Sequence, residues 1–254
     1  MNVLQDDVPP TLTLAACDVH VWDARVSAFA EHEDDLRATL DDDELQRADC
    51  FQFARDRLQY VIAHGLVRIL LGRYLGKPAH RLRFETGPYG KPSLYSSVTC
   101  PTLEYNLSHS GDIVLIAVAC GRAVGVDVER WADEIVYDDL AEYCFSPAEQ
   151  AELAATDVRN NAAAFFAGWT RKEAYIKATG LGVSAGLDYF DVSLAAGSAA
   201  KLLCDRHTGS SAADWLLYDV ALGVGYSGAI VARGSDWRLR QASFAPDAAW
   251  PRRR

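Results

Sequence analysis

The sequence predicts a mixed α/β protein whose second half repeats the plan of its first. Three observations lead there. Two long helical patterns, Arg57–Leu75 and Asn160–Thr179, each end near a Gly. Each follows a shorter helix with a marked start. Each precedes a run of strand-like segments. Identity between the halves is weak, so the pattern suggests duplication without proving it.

Residues 1–16 read as irregular, and His20-Val-Trp22 as extended. Leu40-Asp-Asp-Asp-Glu44 opens a helix with acids in its first turn, where the helix dipole favours them. The helix over Arg57–Leu75 carries an apolar stripe that includes Leu58, Val61, Ile62, Leu66, Ile69 and Leu70, and Lys77-Pro78 ends it. Short extended pieces at Arg81–Phe84 and Ser93–Tyr95 flank a Gly87–Pro92 loop. Leu103–Leu107, Ile113–Ala119 and Val124–Glu129 read as strands, the last two as a hairpin across Cys120-Gly-Arg-Ala123. In the second half, Ser146-Pro147-Ala-Glu149 is a capping box with Pro at the first helical position. The helix over 160–179 stops at Gly180-Leu-Gly182, which suits a C-cap. Tyr189–Leu194, Trp215–Val220, Ala229–Val231 and Trp237–Leu239 complete the strands.

Half of the 254 residues are hydrophobic, enough for a sizeable core in one or two small domains. A net charge of −10 argues against nonspecific nucleic-acid binding. No apolar run is long enough to span a bilayer. Gln5-Asp-Asp7 and two prolines stand where a signal peptide would be basic and then apolar. The six cysteines include no Cys-x-x-Cys pair. The expectation is a cytoplasmic chain without a membrane partner, a disulfide framework or a zinc site.

The chemistry concentrates in Phe166-Ala-Gly-Trp-Thr-Arg-Lys-Glu-Ala-Tyr-Ile-Lys177. Glu173 and Lys177 share a face with Trp169, Lys172 and Ile176 on a helix that otherwise reads as buried. A surface salt bridge would explain the pair and would be worth only a few tenths of a kcal/mol, roughly. A charged ligand would explain it equally. The second element is Val124-Gly-Val-Asp-Val-Glu129. By the period of two, the valines face one side of a strand and Gly125, Asp127 and Glu129 the other. Gly125 is expected to leave open space there. Paired carboxylates suit Mg²⁺, which takes a few carboxylates, waters and substrate phosphates. An exposed polar face of an edge strand stays open as the alternative.

Together these elements resemble the signature of the surfactin-type, two-lobed 4′-phosphopantetheinyl transferases. Gly125-Val-Asp-Val-Glu129 is followed by Trp169-x-x-Lys-Glu-Ala-x-x-Lys177. Arg47 with Phe51-Gln-Phe-Ala-Arg-Asp56, Gly87-Pro-Tyr-Gly-Lys-Pro92, Asn106-Leu-Ser-His109 and Phe145-Ser-Pro-x-Glu149 match further family motifs in chain order. The resemblance spans about residues 47–188.

It implies an α+β fold of two similar lobes, residues 1–122 and 123–254, related by a pseudo-twofold axis. Each lobe would be a small sheet packed on helices, with the active site in the cleft between them. The implied reaction moves the 4′-phosphopantetheine arm of coenzyme A onto a serine of an apo acyl or peptidyl carrier protein and releases adenosine 3′,5′-bisphosphate. Asp127, Glu129 and Glu173 would hold Mg²⁺. Glu173, or a water, would take the serine proton. Lys177 would contact the α-phosphate, and His109 the pyrophosphate or 3′-phosphate. Arg47 and Lys91 would hold the 3′-phosphate and adenylate end. Gly87, Tyr89, Gly90, Pro92, Asn106, Ser108 and Asp127 would line the coenzyme A site. Lys91 and His109 are both expected in loops. Lys172 is expected to pair with Asp127 or Glu129 and has no catalytic role. Trp131–Tyr143 is the candidate carrier contact. Two lobes in one chain imply a monomer. A coenzyme A-binding module without catalysis, or a structural partner of a synthase complex, remain alternatives.

Two motifs are decoys. Gly223-Val-Gly-Tyr-Ser-Gly228 fits a dinucleotide fingerprint in letters but opens no helix, so it reads as a glycine-rich hairpin. Ser108-His109 lacks a Gly-x-Ser-x-Gly elbow, and adjacent strand residues point apart.

Overall fold

The computed structural model describes residues 11–87, 90–95, 102–131, 137–155, 161–180, 182, 186–194, 199–206, 209 and 211–246. The first half runs β1 (Asp18–Arg25), α1 (Glu33–Arg37), α2 (Asp42–Asp49), α3 (Ala54–Leu75), β2 (Phe84–Thr86), β3 (Pro92–Leu94), β4 (Leu103–Ser110) and β5 (Ile113–Cys120). The second runs β6 (Val124–Arg130), α4 (Tyr137–Cys144), α5 (Pro147–Ala154), α6 (Asn161–Thr179), β7 (Phe190–Val192), β8 (Leu202–Asp205), β9 (Trp215–Asp219), β10 (Tyr226–Arg233) and β11 (Arg238–Ser243).

The strands form two main sheets, ordered β11-β1-β5-β4 and β6-β10-β9, with small β2-β3 and β7-β8 ribbons. The order β1-β5-β4 in the first half has its counterpart in β6-β10-β9 in the second. In each half a short capped helix and a long helix separate the first strand from a ribbon and then the last two strands. The long helices pack on the outer faces of the two sheets. On β5, Val114, Ile116 and Val118 face the α3 core, whereas Ile113, Leu115, Ala117 and Ala119 face the second sheet. On β10, Ala229 and Val231 face the α6 core, and Ile230 and Ala232 face the first sheet. The layers are therefore helix, sheet, sheet, helix. Strands buried on both faces lose the apolar–polar alternation.

That double burial explains one correction. β5 and β6 are not a hairpin. β5 pairs antiparallel with β1 and β4, and β6 pairs with β10. The link between them carries the chain from one sheet to the other. With both edges of β5 occupied, no ladder remains for β6. The closing strand β11 then returns to the first sheet, parallel to β1, a pairing between distant segments that local sequence cannot announce.

Other local expectations match. Asp41 caps α2 in a capping box with Glu44, and Ser146 caps α5 with Glu149. Gly76 and Gly180 adopt left-handed φ values of 61° and 72° behind the long helices. β9 and β10 pair antiparallel around the glycine-rich turn. Among the described residues no helix is long and apolar enough to cross a membrane.

Candidate active site

The site forms where the open edge of β6 meets β4, beneath α6. Gly125 is what brings α6 there. A Cβ on Gly125 would lie 2.1 Å from the Ala174 carbonyl oxygen and 2.4 Å from the Ala178 nitrogen. The space expected beside Gly125 is therefore filled by helix backbone. This close approach sets Glu173 and Lys177 against the acids of β6.

Asp127 is 2% exposed. Its Oδ1 accepts from Lys177 Nζ at 2.6 Å and from Ser108 Oγ at 2.8 Å. Lys177 Nζ also reaches Ser108 Oγ at 3.1 Å. Lys177 thus bonds Asp127. The other oxygen, Asp127 Oδ2, is buried and has no hydrogen-bond partner among the described residues. Glu129 Oε2 accepts from Ser110 Oγ at 2.8 Å. Burial pushes the Asp127 carboxyl up against the opposing pull of Lys177. Burial and then the Asp127 charge push up both Glu129 and Glu173. The three acids therefore share one electrostatic neighbourhood.

They are not a closed cage. Among the described residues no three of His, Cys, Asp and Glu are arranged to hold a metal by themselves. Mg²⁺ does not need such a cage, because it keeps several waters and binds through one or two carboxylates plus substrate phosphates. An orphaned, buried carboxylate oxygen beside two further raised carboxyls fits that chemistry.

Three expectations need correction. Lys172 does not pair with Asp127 or Glu129. It points to the opposite side of α6 and is fully buried, with Nζ 2.7 Å from Glu149 and donating to the Leu187 and Phe190 carbonyls. A helical residue next to Glu173 turns about 100° away from it. His109 lies on strand β4, not in a loop. It is exposed and points away from Ser108. Partial desolvation holds its pKa down, and the charges of His64 and Lys177 add to that. β6 is an edge strand, but its polar face is not an exposed one: α6 and the β4 serines cover it.

The remaining predicted residues spread through the first half. Lys91 reaches across to donate to the Val124 carbonyl at 3.1 Å and the Ala178 carbonyl at 3.2 Å. It ties the Gly87–Pro92 loop to the end of α6, and burial pushes its pKa down. Gly90 has φ 85°, which favours Gly at this turn. Gly87 receives the turn's hydrogen bond from Gly90 N, and Pro92 begins β3. Tyr89 lies outside the described residues. Asn106 Oδ1 accepts from Val126 N at 2.8 Å, so in this structure it holds β6. Arg47 sits on exposed α2, 6.0 Å over the Tyr60 ring. His64 stacks on the same ring at 4.0 Å. No ligand spacing in the sequence singles out His64. Its place between Tyr60 and His109 follows from packing of α3 against β4. In the Trp131–Tyr143 segment, residues 132–136 lie outside the described part. Leu140 and Tyr143 of α4 are exposed, Tyr143 by 81%.

Residues 123–231 match the 4′-phosphopantetheinyl transferase superfamily. Residues 22–121 match the family described as 4′-phosphopantetheinyl transferase, N-terminal. The 4′-phosphopantetheinyl transferase HetI of Nostoc sp. is 34% identical over 230 residues, which cover 91% of this chain and 94% of that protein. The 4′-phosphopantetheinyl transferase psf-1 of Bacillus pumilus is 36% identical over 162 residues, 63% of this chain and 66% of its own. The 4′-phosphopantetheinyl transferase Sfp of Bacillus subtilis is 31% identical over 144 residues, 57% of this chain and 62% of its own. With both halves matched and one relative aligned over nearly its whole length, the chain belongs to the two-lobed, surfactin-type family of 4′-phosphopantetheinyl transferases.

Proposed function

We propose that this chain transfers the 4′-phosphopantetheine group of coenzyme A to a serine of an acyl or peptidyl carrier protein in a Mg²⁺-dependent reaction. The observation that carries this reading is the partnerless buried Oδ2 of Asp127, beside Glu129, Glu173 and Lys177. Asp127, Glu129 and Glu173 are the residues that would hold Mg²⁺, which when bound neutralises charge on pyrophosphate oxygens.

The chain's own residues handle position, charge and one proton. The carrier serine oxygen forms a bond to the phosphorus that bears the pantetheine arm. The bond from that phosphorus to the bridging pyrophosphate oxygen breaks. Adenosine 3′,5′-bisphosphate leaves with the electron pair. Glu173, directly or through a water, accepts the serine proton. Lys177 exchanges part of its bond to Asp127 for the α-phosphate and stabilises the leaving group. His109 donates to the pyrophosphate or the 3′-phosphate. Residues 1–122 take the nucleotide end, with Arg47 and Lys91 on the 3′-phosphate, and Lys91 gives up its backbone carbonyls to do so. Residues 123–254 carry the acids of β6 and α6. The exposed α4 residues Leu140 and Tyr143 offer the carrier an apolar contact beside the site.

The test is mass spectrometry of an apo carrier protein after incubation with coenzyme A and Mg²⁺. Asp127→Ala and Glu173→Ala should each lower loading by about a hundredfold or more, the scale for removing one preorganised charge interaction. Their thermal unfolding should still be cooperative. Near-normal loading by both variants would sink the assignment of the acids. Lys91→Ala should raise KM for coenzyme A; an unchanged value would remove Lys91 from the nucleotide end.

A further inference from the structure

The acids of β6 do not stand alone. Strand β4 presents Asn106, Ser108 and Ser110 on one face, by its period of two. Each accepts one N–H from the unpaired edge of β6. Val126 N donates to Asn106 Oδ1 at 2.8 Å, Val128 N to Ser108 Oγ at 3.4 Å and Arg130 N to Ser110 Oγ at 3.1 Å. The two main sheets are thus joined at this seam by side chains where a continuous sheet would use backbone carbonyls.

The two serines do something the asparagine does not. A hydroxyl has one proton and two lone pairs. An N–H held at the oxygen leaves the proton free to point elsewhere. Ser108 sends it to Asp127 Oδ1, and Ser110 sends it to Glu129 Oε2, both at 2.8 Å. Trp169 of α6 also favours the charged form of Glu129. The hydrogen bond that holds Glu129 comes from a strand of the first half. The grip has a clear task. Asp127 and Glu129 are like charges on one strand face, about 7 Å apart at their backbones, and repulsion favours swinging the longer, less buried Glu129 out to solvent.

We propose that Ser110 is a positioning residue that aims Glu129 into the cation site. This rests on the reading that Glu129 helps to hold a divalent cation. Partners that orient a ligand in this way typically account for about 10–100-fold in metal affinity. Ser110 lies outside every motif that carries the family resemblance, and it touches neither the reacting atoms nor the nucleotide in the reading above.

The experiment is a double-substitution cycle on the full chain with coenzyme A present and no carrier, reading Mn²⁺ affinity from the paramagnetic resonance of the free ion. Ser110→Ala should weaken Mn²⁺ binding by about tenfold. Ser110→Thr, which keeps the hydroxyl, should restore it. Glu129→Gln should weaken binding by itself, and adding Ser110→Ala to Glu129→Gln should change nothing further. In loading assays Ser110→Ala should raise the Mg²⁺ concentration needed for half-maximal rate while kcat recovers at saturating Mg²⁺. Wild-type affinity in Ser110→Ala overturns the proposal. So does an equal loss on the Glu129→Gln background, which would mean that Ser110 only braces β6. The underlying reading fails separately if wild type binds no Mn²⁺ or if Asp127→Ala binds it as wild type does.

Discussion

The two long helices are anchored by the same device. In the first half, buried Arg68 on α3 pairs with Glu44 of the α2 capping box at 2.5 Å, and with its cap Asp41. It also donates to the Ala79 and Leu82 carbonyls beyond the helix and lies 4.9 Å over Phe84. In the second half, buried Lys172 on α6 pairs with Glu149 of the α5 capping box. It donates to the Leu187 and Phe190 carbonyls beyond its helix and lies 4.5 Å over Phe190. Arg68 and Lys172 are as far apart in sequence as the helix caps Gly76 and Gly180.

At the positions equivalent by that spacing, Ile69 matches Glu173 and Arg73 matches Lys177. Against β1, Tyr74 of the first helix meets His20 and Trp22: its hydroxyl lies 2.6 Å from His20 Nδ1 and accepts from the Trp22 indole at 3.0 Å. Against β6, the second helix meets Gly125 and the acids. One frame therefore serves twice. In one half large side chains fill the helix–strand gap; in the other a Gly closes it and leaves charges at its edge. The anchoring belongs to the fold, and the chemistry to a few substitutions on it.

The comparison can be broken at the anchor first. Lys172→Met should cost about 3–5 kcal/mol by chemical denaturation, because it strands a buried carboxylate. Arg68→Met should cost less, since Asp41 is 23% exposed and Glu149 only 2%. Equal losses would show that the two anchors are energetically alike. Converting the pair together, Lys172→Met with Glu149→Leu, should recover much of the loss.

The helix contact comes next. Gly125→Ala puts a methyl into α6 backbone and should cost about 1–3 kcal/mol. It should also lower carrier loading by moving Glu173 and Lys177; loading at the wild-type rate would show that the close approach is not what sets the site. At the helix caps, Gly76→Ala and Gly180→Ala each force a left-handed residue and should cost about 1–2 kcal/mol. The two values should agree closely, as the shared frame demands, in parallel thermal melts.

The smallest effect is a pH dependence confined to the second half. Burial, then Asp127, holds the Glu173 carboxyl above its ordinary value. A carboxyl raised in the folded state contributes stability that is full below its unfolded pKa of about 4.3 and is lost as pH rises through the folded value. Glu173→Gln should therefore stabilise the protein in EDTA at pH 8 and leave it unchanged near pH 4. A pH-independent difference would remove the charge explanation.

Much of this was legible in the sequence because it is local. The capping box at Ser146, the glycine stops, the alternation that puts Asp127 and Glu129 on one face, and the turn spacing of Glu173 and Lys177 all depend on near neighbours. Partner choice was not legible. Lys172 could be placed on α6 but not beside Glu149, because a one-residue step sends it round the helix. The apolar run of β5 reads the same whether its neighbour is β1 or β6. Ser110 gains its partners only because β4 lies beside β6.

By itself the sequence determined the element types, the family, and the residues that carry charge in the cleft, since propensity, capping and motif spacing act within a few residues along the chain. Only the tertiary structure decided that β6 leaves β5 for β10, that Gly125 admits the α6 backbone, and that Lys177 rests on Asp127. Those outcomes depend on which distant surfaces bury each other, and burial compares whole faces rather than neighbours in sequence.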